Sequence, residues 1–251
     1  MGLNGVPYSE EIVFAGSFAI VVFLVVRLTR ELTPEARATL VGTAVVIFVF
    51  RAIPGPGPGV TWWMIDELQF DQHFLSVLSL IGSALTLAGM FERSIAYVVG
   101  FLTLAGALLA APIVGMYYGL HTWTAAHTGG VVDAHFIALV DTALESPLGQ
   151  IAMIPMLAWI ANSAPANLKA TYFAVMASFT NLALSLSQLG TKYLNEVFVV
   201  TREVRDRVNH VVQIPADYSQ LGELLVVQVL IGLALPFMAI ILARLSKFRS
   251  A

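Results

Sequence analysis

The sequence has no cysteine and few charged residues. Lysine and arginine number 13, aspartate and glutamate number 16, and charged side chains make up only 12% of the 251 residues. Soluble domains usually carry about 25%. The absence of cysteine excludes disulfides, iron–sulfur clusters and thiolate zinc sites. The low charge, together with 58% hydrophobic residues, excludes an ordinary soluble domain and indicates a membrane protein.

Familiar motifs for catalysis and for nucleic-acid binding are also missing. The sequence contains no Gly-rich phosphate loop, nucleophile elbow or HExxH zinc motif, and no basic patch that would suit nucleic acid. His121, His127, Asp133 and His135 form a loop group that could bind a metal, but their spacing matches no familiar ligand signature. We therefore expect no enzyme activity, no metal, no cofactor and no nucleic-acid partner, with a metal-dependent membrane enzyme as an alternative.

Apolar segments long enough to cross a membrane recur along the chain, given about 20 residues per helical crossing. There are about seven of them: Glu11–Val26, Ala38–Ile65, Phe74–Phe91, Ile95–Tyr118, Ala134–Ile160, Ala170–Leu194 and Leu221–Leu242. The run from Pro54 to Gly59 interrupts the second, which is therefore either a helix followed by a loop or a broken helix. The expected fold is all-α, a polytopic helical membrane protein with about seven transmembrane helices.

Positive charges in the connections predict the orientation. With seven crossings, one side of the membrane receives Arg27, Arg30, Arg37, Arg93, Lys169, Arg244, Lys247 and Arg249. The opposite side includes residues 1–10, which contain no lysine or arginine. The positive-inside rule then places the N-terminus outside and the C-terminus in the cytoplasm, with the plasma (inner) membrane as the expected location. Asp66, Glu67 and Asp71, at the outer end of the second segment, are expected to be solvated loop charges.

Two acidic residues lie in the fifth apolar segment. Asp141 and Glu145 are four residues apart, so they share one face of a helix. A carboxylate inside a bilayer costs several kcal/mol unless it is paired or hydrated, so the two acids are candidates for a substrate path. Pro147 loosens the helix beside them. Arg51, late in the second segment, either reaches an interface or faces a cavity and pairs with one of these acids.

A polar stripe runs along the sixth apolar segment. Its members Ser178, Asn181, Ser185, Gln188 and Lys192 are 3, 4, 3 and 4 residues apart, which places them on one helix face. Such a stripe either bonds neighbouring helices together or lines a cavity, and the two uses can coexist. Asn181 and Gln188 are the best candidates for substrate contact because an amide both donates and accepts, and Ser185 lies between them.

Several stretches resemble the folate–biopterin transporter family of the major facilitator superfamily. They are Gly149–Leu157, Ala164–Leu182, Phe48–Pro54 and Glu67–Leu78. The resemblance extends roughly from Ala38 to Leu242 and implies the C-terminal six-helix half of such a transporter. Residues 1–37 are then a leading transmembrane helix with its cytoplasmic connection, and residues 38–251 are the six-helix half-bundle.

The resemblance implies a secondary transporter that moves a pterin, a folate or another organic anion by alternating access, usually as a proton symporter. Arg51, Asn181, Ser185 and Gln188 become expected substrate contacts, and Asp141 or Glu145 becomes the proton-linked carboxylate. Since substrate sites of this kind lie between two bundles, we expect a missing N-terminal half, a partner chain or a homodimer, all within membrane lipid. The alternative is a non-transporting membrane scaffold or assembly factor on the same fold.

Overall fold

The computed structural model describes residues 8–30, 32–85, 95–144, 169–206 and 211–246. Within these ranges nine helices dominate: α1 (Ser9–Thr29), α2 (Pro34–Arg51), α3 (Gly59–Asp66), α4 (Gln72–Leu85), α5 (Ile95–Tyr117), α6 (Leu120–His127), α7 (Ala134–Leu144), α8 (Lys169–Val197) and α9 (Leu221–Leu245). A short hairpin of β1 (Val204–Arg205) and β2 (Val212–Ile214) is the one sheet in the described part. The predicted all-α class is confirmed.

Four of the described helices are long and apolar enough to cross a membrane. They cover Ser9–Thr29, Val99–Tyr117, Ala170–Val197 and Leu221–Leu245, which match the first, fourth, sixth and seventh predicted segments. The third and fifth predicted segments continue beyond α4 and α7 into residues outside the described ranges, and Glu145 and Pro147 lie there. The protein is therefore a polytopic helical membrane protein, while the count of seven crossings and the orientation stay predictions.

The second predicted segment is a broken helix. Thr33 caps the start of α2 by accepting a hydrogen bond from the Ala36 N–H at 3.3 Å, and α2 ends at Arg51. Residues 53–57 carry no helix before α3 begins at Gly59. We call residues 53–58 the Pro–Gly break.

Side chains of α8 bind the backbone groups that the Pro–Gly break leaves outside a helix. Ser187 Oγ donates to the Ile53 carbonyl at 2.6 Å, and the Gly55 N–H donates to Thr191 Oγ1 at 2.8 Å. Asn195 Nδ2 donates to the Pro56 carbonyl at 3.3 Å. Hydrogen bonds of this kind satisfy backbone groups that no helix satisfies, which a non-helical segment needs when it is buried among other helices.

Helix α8 packs against both α1 and α2, and α9 packs against both α2 and α5. The Phe48 ring of α2 contacts both α1 and α8. Its centroid lies 5.9 Å from that of Phe18 in α1 and 4.8 Å from that of Phe179 in α8. One buried cluster includes Val46, Tyr172 and Ile240. In a bilayer such clusters hold helices together by close van der Waals packing rather than by exclusion of water.

The connection between α8 and α9 is more structured than the sequence predicted. β1 and β2 pair antiparallel within it, and an isolated bridge joins Thr201 to Asp217. Arg202 and Tyr218 from this connection both bond the Asp66 carboxylate at the end of α3. The expectation that Asp66 is a solvated loop charge is therefore wrong, because two distant side chains bind it.

Candidate functional site

A cavity of about 900 Å³ lies between α1 and α8, and we call it the α1–α8 cavity. All five members of the predicted polar stripe line it: Ser178, Asn181, Ser185, Gln188 and Lys192. Helix α1 adds Ser9, Glu10 and Ser17 to the polar lining, while Phe14, Val21 and Leu189 are among the apolar members. The stripe thus lines a cavity, and its last member, Lys192, also bonds the neighbouring helix α1.

The amides of the stripe are available to a ligand. Asn181 and Gln188 are exposed and make no hydrogen bond to any described residue. Ser178 differs, because its hydroxyl donates to the Ala174 carbonyl of its own helix at 2.9 Å. Each amide therefore offers a donor and an acceptor to whatever enters the cavity.

Charged groups join α1 and α8 at one end of this cavity. Lys192 Nζ lies 2.9 Å from Glu11 Oε1 and 3.2 Å from Glu10 Oε2, and the Tyr193 hydroxyl donates to Glu11 Oε1 at 2.6 Å. We call these four residues the ionic cluster. Since Glu10 lies in the first turn of α1 and Lys192 lies near the end of α8, the two helices run antiparallel.

Sequence reasoning placed Lys192 on the stripe but missed its partners. The glutamates lie 181 and 182 residues away in the chain, and no local pattern connects them.

Asp141 lines a different cavity, of about 340 Å³, which we call the Asp141 cavity. Its wall comes from α2, the Pro–Gly break, α3, α5, α7 and α9, and Thr103 and Gln228 are its other polar side chains. Ile53 and Pro56 contribute from the break. Gln228 was not among the predicted site residues, because a single amide in α9 has no periodic polar neighbours that would mark it.

The structure does not bring all the predicted site residues together. Asn181, Ser185 and Gln188 share one cavity and Asp141 lines the other, while Glu145 lies outside the described residues. Arg51 lines neither of these two cavities, and its Nε is buried without a hydrogen bond in the described part of the chain. No ion pair between Arg51 and Asp141 is present among the described residues, and the alternative pairing of Arg51 with Glu145 lies outside them.

The histidine group has structural partners. His121 Nδ1 lies 3.0 Å from the Met116 carbonyl, and His127 Nδ1 lies 2.8 Å from the Trp123 carbonyl. The His135 ring packs against those of two phenylalanines. Among the described residues, no group of three or more His, Cys, Asp or Glu side chains is placed to hold a metal.

Membrane-spanning helices around a polar cavity define a polytopic membrane protein with room for a polar ligand. The chain belongs to the BT1 family, whose sequence model matches residues 16–249. This match, together with the relative described next, confirms the predicted resemblance to the folate–biopterin transporter family, while the major facilitator superfamily stays a prediction.

The chain is also similar to a protein that has a descriptive name. The chain is 28% identical over 171 residues to a protein of Synechocystis sp. (strain ATCC 27184 / PCC 6803 / Kazusa) described as "Folate-biopterin transporter". The match covers 61% of this chain and 33% of the relative, so the chain spans about a third of that relative's length. No solved structure gives a significant match to the chain.

Proposed function

We propose that this chain is part of a secondary transporter that moves a pterin, a folate or another organic anion across a membrane by alternating access. The α1–α8 cavity carries the proposal, because the unbonded amides of Asn181 and Gln188 face a space of about 900 Å³. A volume of several hundred Å³ or more suits a small organic ligand. The name of the Synechocystis relative supports a pterin or folate as the cargo.

The proposed roles follow the two cavities. Asn181, Ser185 and Gln188 bind the substrate in the α1–α8 cavity, and Asp141 or Glu145 takes up and releases the coupled proton. Arg51 is proposed to meet a substrate carboxylate in another conformation, since its planar guanidinium binds a carboxylate through two parallel hydrogen bonds. Its buried Nε, without a hydrogen bond in the described ranges, supports a partner that arrives later in the cycle.

The exposed stripe also supports a partner bundle. Asn181, Ser185 and Gln188 are exposed in the described structure, and amides and hydroxyls facing lipid without hydrogen bonds are costly. We propose that an N-terminal half, a partner chain or a second copy covers them. The complete protein then lies in the plasma (inner) membrane with the N-terminus of this chain outside and its C-terminus in the cytoplasm.

Uptake by the reconstituted protein tests the proposal. The chain, with any partner that co-purifies, is placed in liposomes, and entry of labelled biopterin and of labelled folic acid is measured. Asn181→Ala and Gln188→Ala should each lower kcat/KM for the transported compound by about tenfold, since one to two ligand hydrogen bonds contribute about 0.5–1.5 kcal/mol each. The matched control is Leu184→Ala, an exposed α8 position outside the cavity lining, and it should transport normally.

Equal uptake by the Asn181, Gln188 and Leu184 variants would remove the α1–α8 cavity from the transport path. A stable co-purified partner, combined with no uptake and no ligand-dependent rise in melting temperature, would instead support the scaffold function. In that case the stripe is a surface for protein contact.

A further inference from the structure

The end of the α1–α8 cavity that holds the ionic cluster has an excess of negative charge. Glu10 and Glu11 supply two carboxylates, and among the described residues Lys192 supplies the one ammonium that contacts them. The Tyr193 hydroxyl donates to Glu11 and adds no positive charge. The cluster therefore carries a net charge of about −1, which disfavours a negatively charged group beside it.

The two glutamates are not equally available to a ligand. Glu11 is held from two sides by Lys192 and Tyr193, and its side chain is 24% exposed. Glu10 makes a single longer contact, 3.2 Å to Lys192 Nζ, and its side chain is 66% exposed. Glu10 also lines the cavity, and its other carboxylate oxygen accepts no hydrogen bond from a described residue. Glu10 is thus the acceptor that a molecule in the cavity reaches first.

A carboxylate in this position suits a particular chemical group. Two adjacent N–H donors in one plane pair with a carboxylate through two parallel hydrogen bonds, the arrangement that makes such contacts strong. An uncharged aminated heterocycle with a ring N–H beside an exocyclic amino group offers that edge. Gln188 lies one helical turn from Lys192, about 6 Å along α8, so the same ring can reach its amide.

We infer that Glu10 determines specificity by binding the N–H donor edge of an uncharged heterocycle, and that the ionic cluster disfavours anionic ligands at this end of the cavity. The inference rests on the proposed transport function and narrows its cargo. Among pterins, folates and other organic anions, it selects the neutral pterin ring as the group that occupies this end.

Three closely related probes separate the donor edge from the charge. Pterin carries the 2-amino group, lumazine has a carbonyl in its place, and pterin-6-carboxylate adds an anion to the pterin ring. Their affinities are measured on the full protein in lipid nanodiscs. The unsubstituted protein should bind pterin about tenfold more tightly than lumazine, a difference of about 1.4 kcal/mol, and should also prefer pterin to pterin-6-carboxylate.

Glu10→Gln should remove both preferences, because it deletes the charge and places a donor opposite the ligand's donors. Glu10→Asp keeps the carboxylate and should retain both. The matched control is Glu35→Gln, an exposed glutamate in the first turn of α2 outside the cavity, and it should behave as the unsubstituted protein. Melting temperatures without ligand verify that each variant is folded.

Two results overturn the inference. Equal binding of pterin and lumazine by the unsubstituted protein is the first, and a preference that survives Glu10→Gln is the second. In both cases the proposed transport function stands if uptake depends on Asn181 and Gln188. Absence of pterin, biopterin and folic acid binding, together with absence of uptake, overturns the proposed function and this inference at once.

Discussion

Asp66 joins the end of α3 to two positions far along the chain. Arg202 donates to its carboxylate from Nε at 3.2 Å and from Nη2 at 2.9 Å, and the Tyr218 hydroxyl donates to the same carboxylate. Burial raises the pKa of Asp66, but the hydrogen bonds from Arg202 and Tyr218 outweigh burial and hold the pKa below its usual value. The folded state therefore favours ionised Asp66.

Asp66→Asn should lower the free energy of unfolding by about 1 kcal/mol, since it weakens charge-assisted bonds in a partly exposed site. Because the folded pKa lies below the unfolded value of about 3.9, the contribution of Asp66 is fully present above that pH and is lost as the pH falls through the folded pKa. Melting temperatures of both proteins, measured in detergent from neutral pH to about pH 3, should converge in acid.

Glu67→Gln is the control for Asp66→Asn, because Glu67 is the exposed neighbour with no hydrogen bond from a described side chain. Its melting temperature should equal that of the unsubstituted protein at every pH. An Asp66→Asn protein that keeps its full stability at neutral pH would show that the contact with Arg202 contributes nothing measurable.

Individual residues were predictable from the sequence where a local period marks them. The spacing of 3 and 4 placed Asn181, Ser185 and Gln188 on one face, and that face does line a cavity. The partners of Lys192 and Asp66 were not predictable. Their ion pairs join residues 181 or 136 positions apart, and no periodic pattern in the sequence marks such a pair.

The backbone conformation of the Pro–Gly break at Gly57 allows the break to lie close against α8. Gly57 has a φ of +78°, and a Cβ added there would lie 2.6 Å from Asn195 Nδ2 and 2.9 Å from Asn195 Oδ1. Two features therefore require glycine at position 57: the left-handed backbone and the close approach of α8.

Gly57→Ala should lower the free energy of unfolding by about 2–4 kcal/mol, because it adds steric crowding to backbone strain. Gly129→Ala is a matched control, since Gly129 has a φ of +63° but nothing within 4 Å of an added Cβ. It should lose only about 1 kcal/mol, the strain of a left-handed alanine. Melting temperatures of the two variants measure the difference.

Similar losses in the Gly57 and Gly129 variants would mean that Asn195 moves aside at no cost. The contact between the break and α8 would then be loose, and it would not fix the position of either element.

At the level of elements, hydropathy predicted the spanning helices well. The ends of α1, α5, α8 and α9 lie within a few residues of the predicted segments, because each helix combines length with a high mean hydropathy. The hairpin between α8 and α9 was not predicted, since its strands of two and three residues are too short to show alternation. The sequence showed that the second segment is interrupted, but not that side chains of α8 form hydrogen bonds with the backbone of the interruption.

The whole molecule separates the proposed substrate contacts from the proposed proton carrier. The α1–α8 cavity and the Asp141 cavity share no lining residue. Coupled transport then requires that occupancy of one cavity changes the state of the other, which is a property of the complete assembly rather than of a single site.

Asp141→Asn combined with Glu145→Gln should abolish uptake driven by an inward proton gradient, because it removes both of the carboxylates that are proposed to carry the proton. Exchange of labelled for unlabelled substrate, which needs no net proton movement, should persist. Uptake into liposomes with and without the gradient distinguishes the two. Glu223→Gln, an exposed glutamate in the first turn of α9, is the control and should respond to the gradient normally.

Gradient-driven uptake that survives the double substitution would exclude both acids as proton carriers. The substrate contacts in the α1–α8 cavity would be unaffected by that result, since they are tested by Asn181→Ala and Gln188→Ala.

Helix α8 has two polar faces, and this arrangement links the two cavities mechanically. One face lines the α1–α8 cavity, and the other bonds Ile53 and Pro56 through Ser187 and Asn195. Ile53 and Pro56 are also part of the wall around Asp141. A ligand that draws α8 toward α1 would have to break these bonds or shift the wall beside Asp141, so a movement of α8 would connect the proposed substrate cavity to the proposed proton carrier.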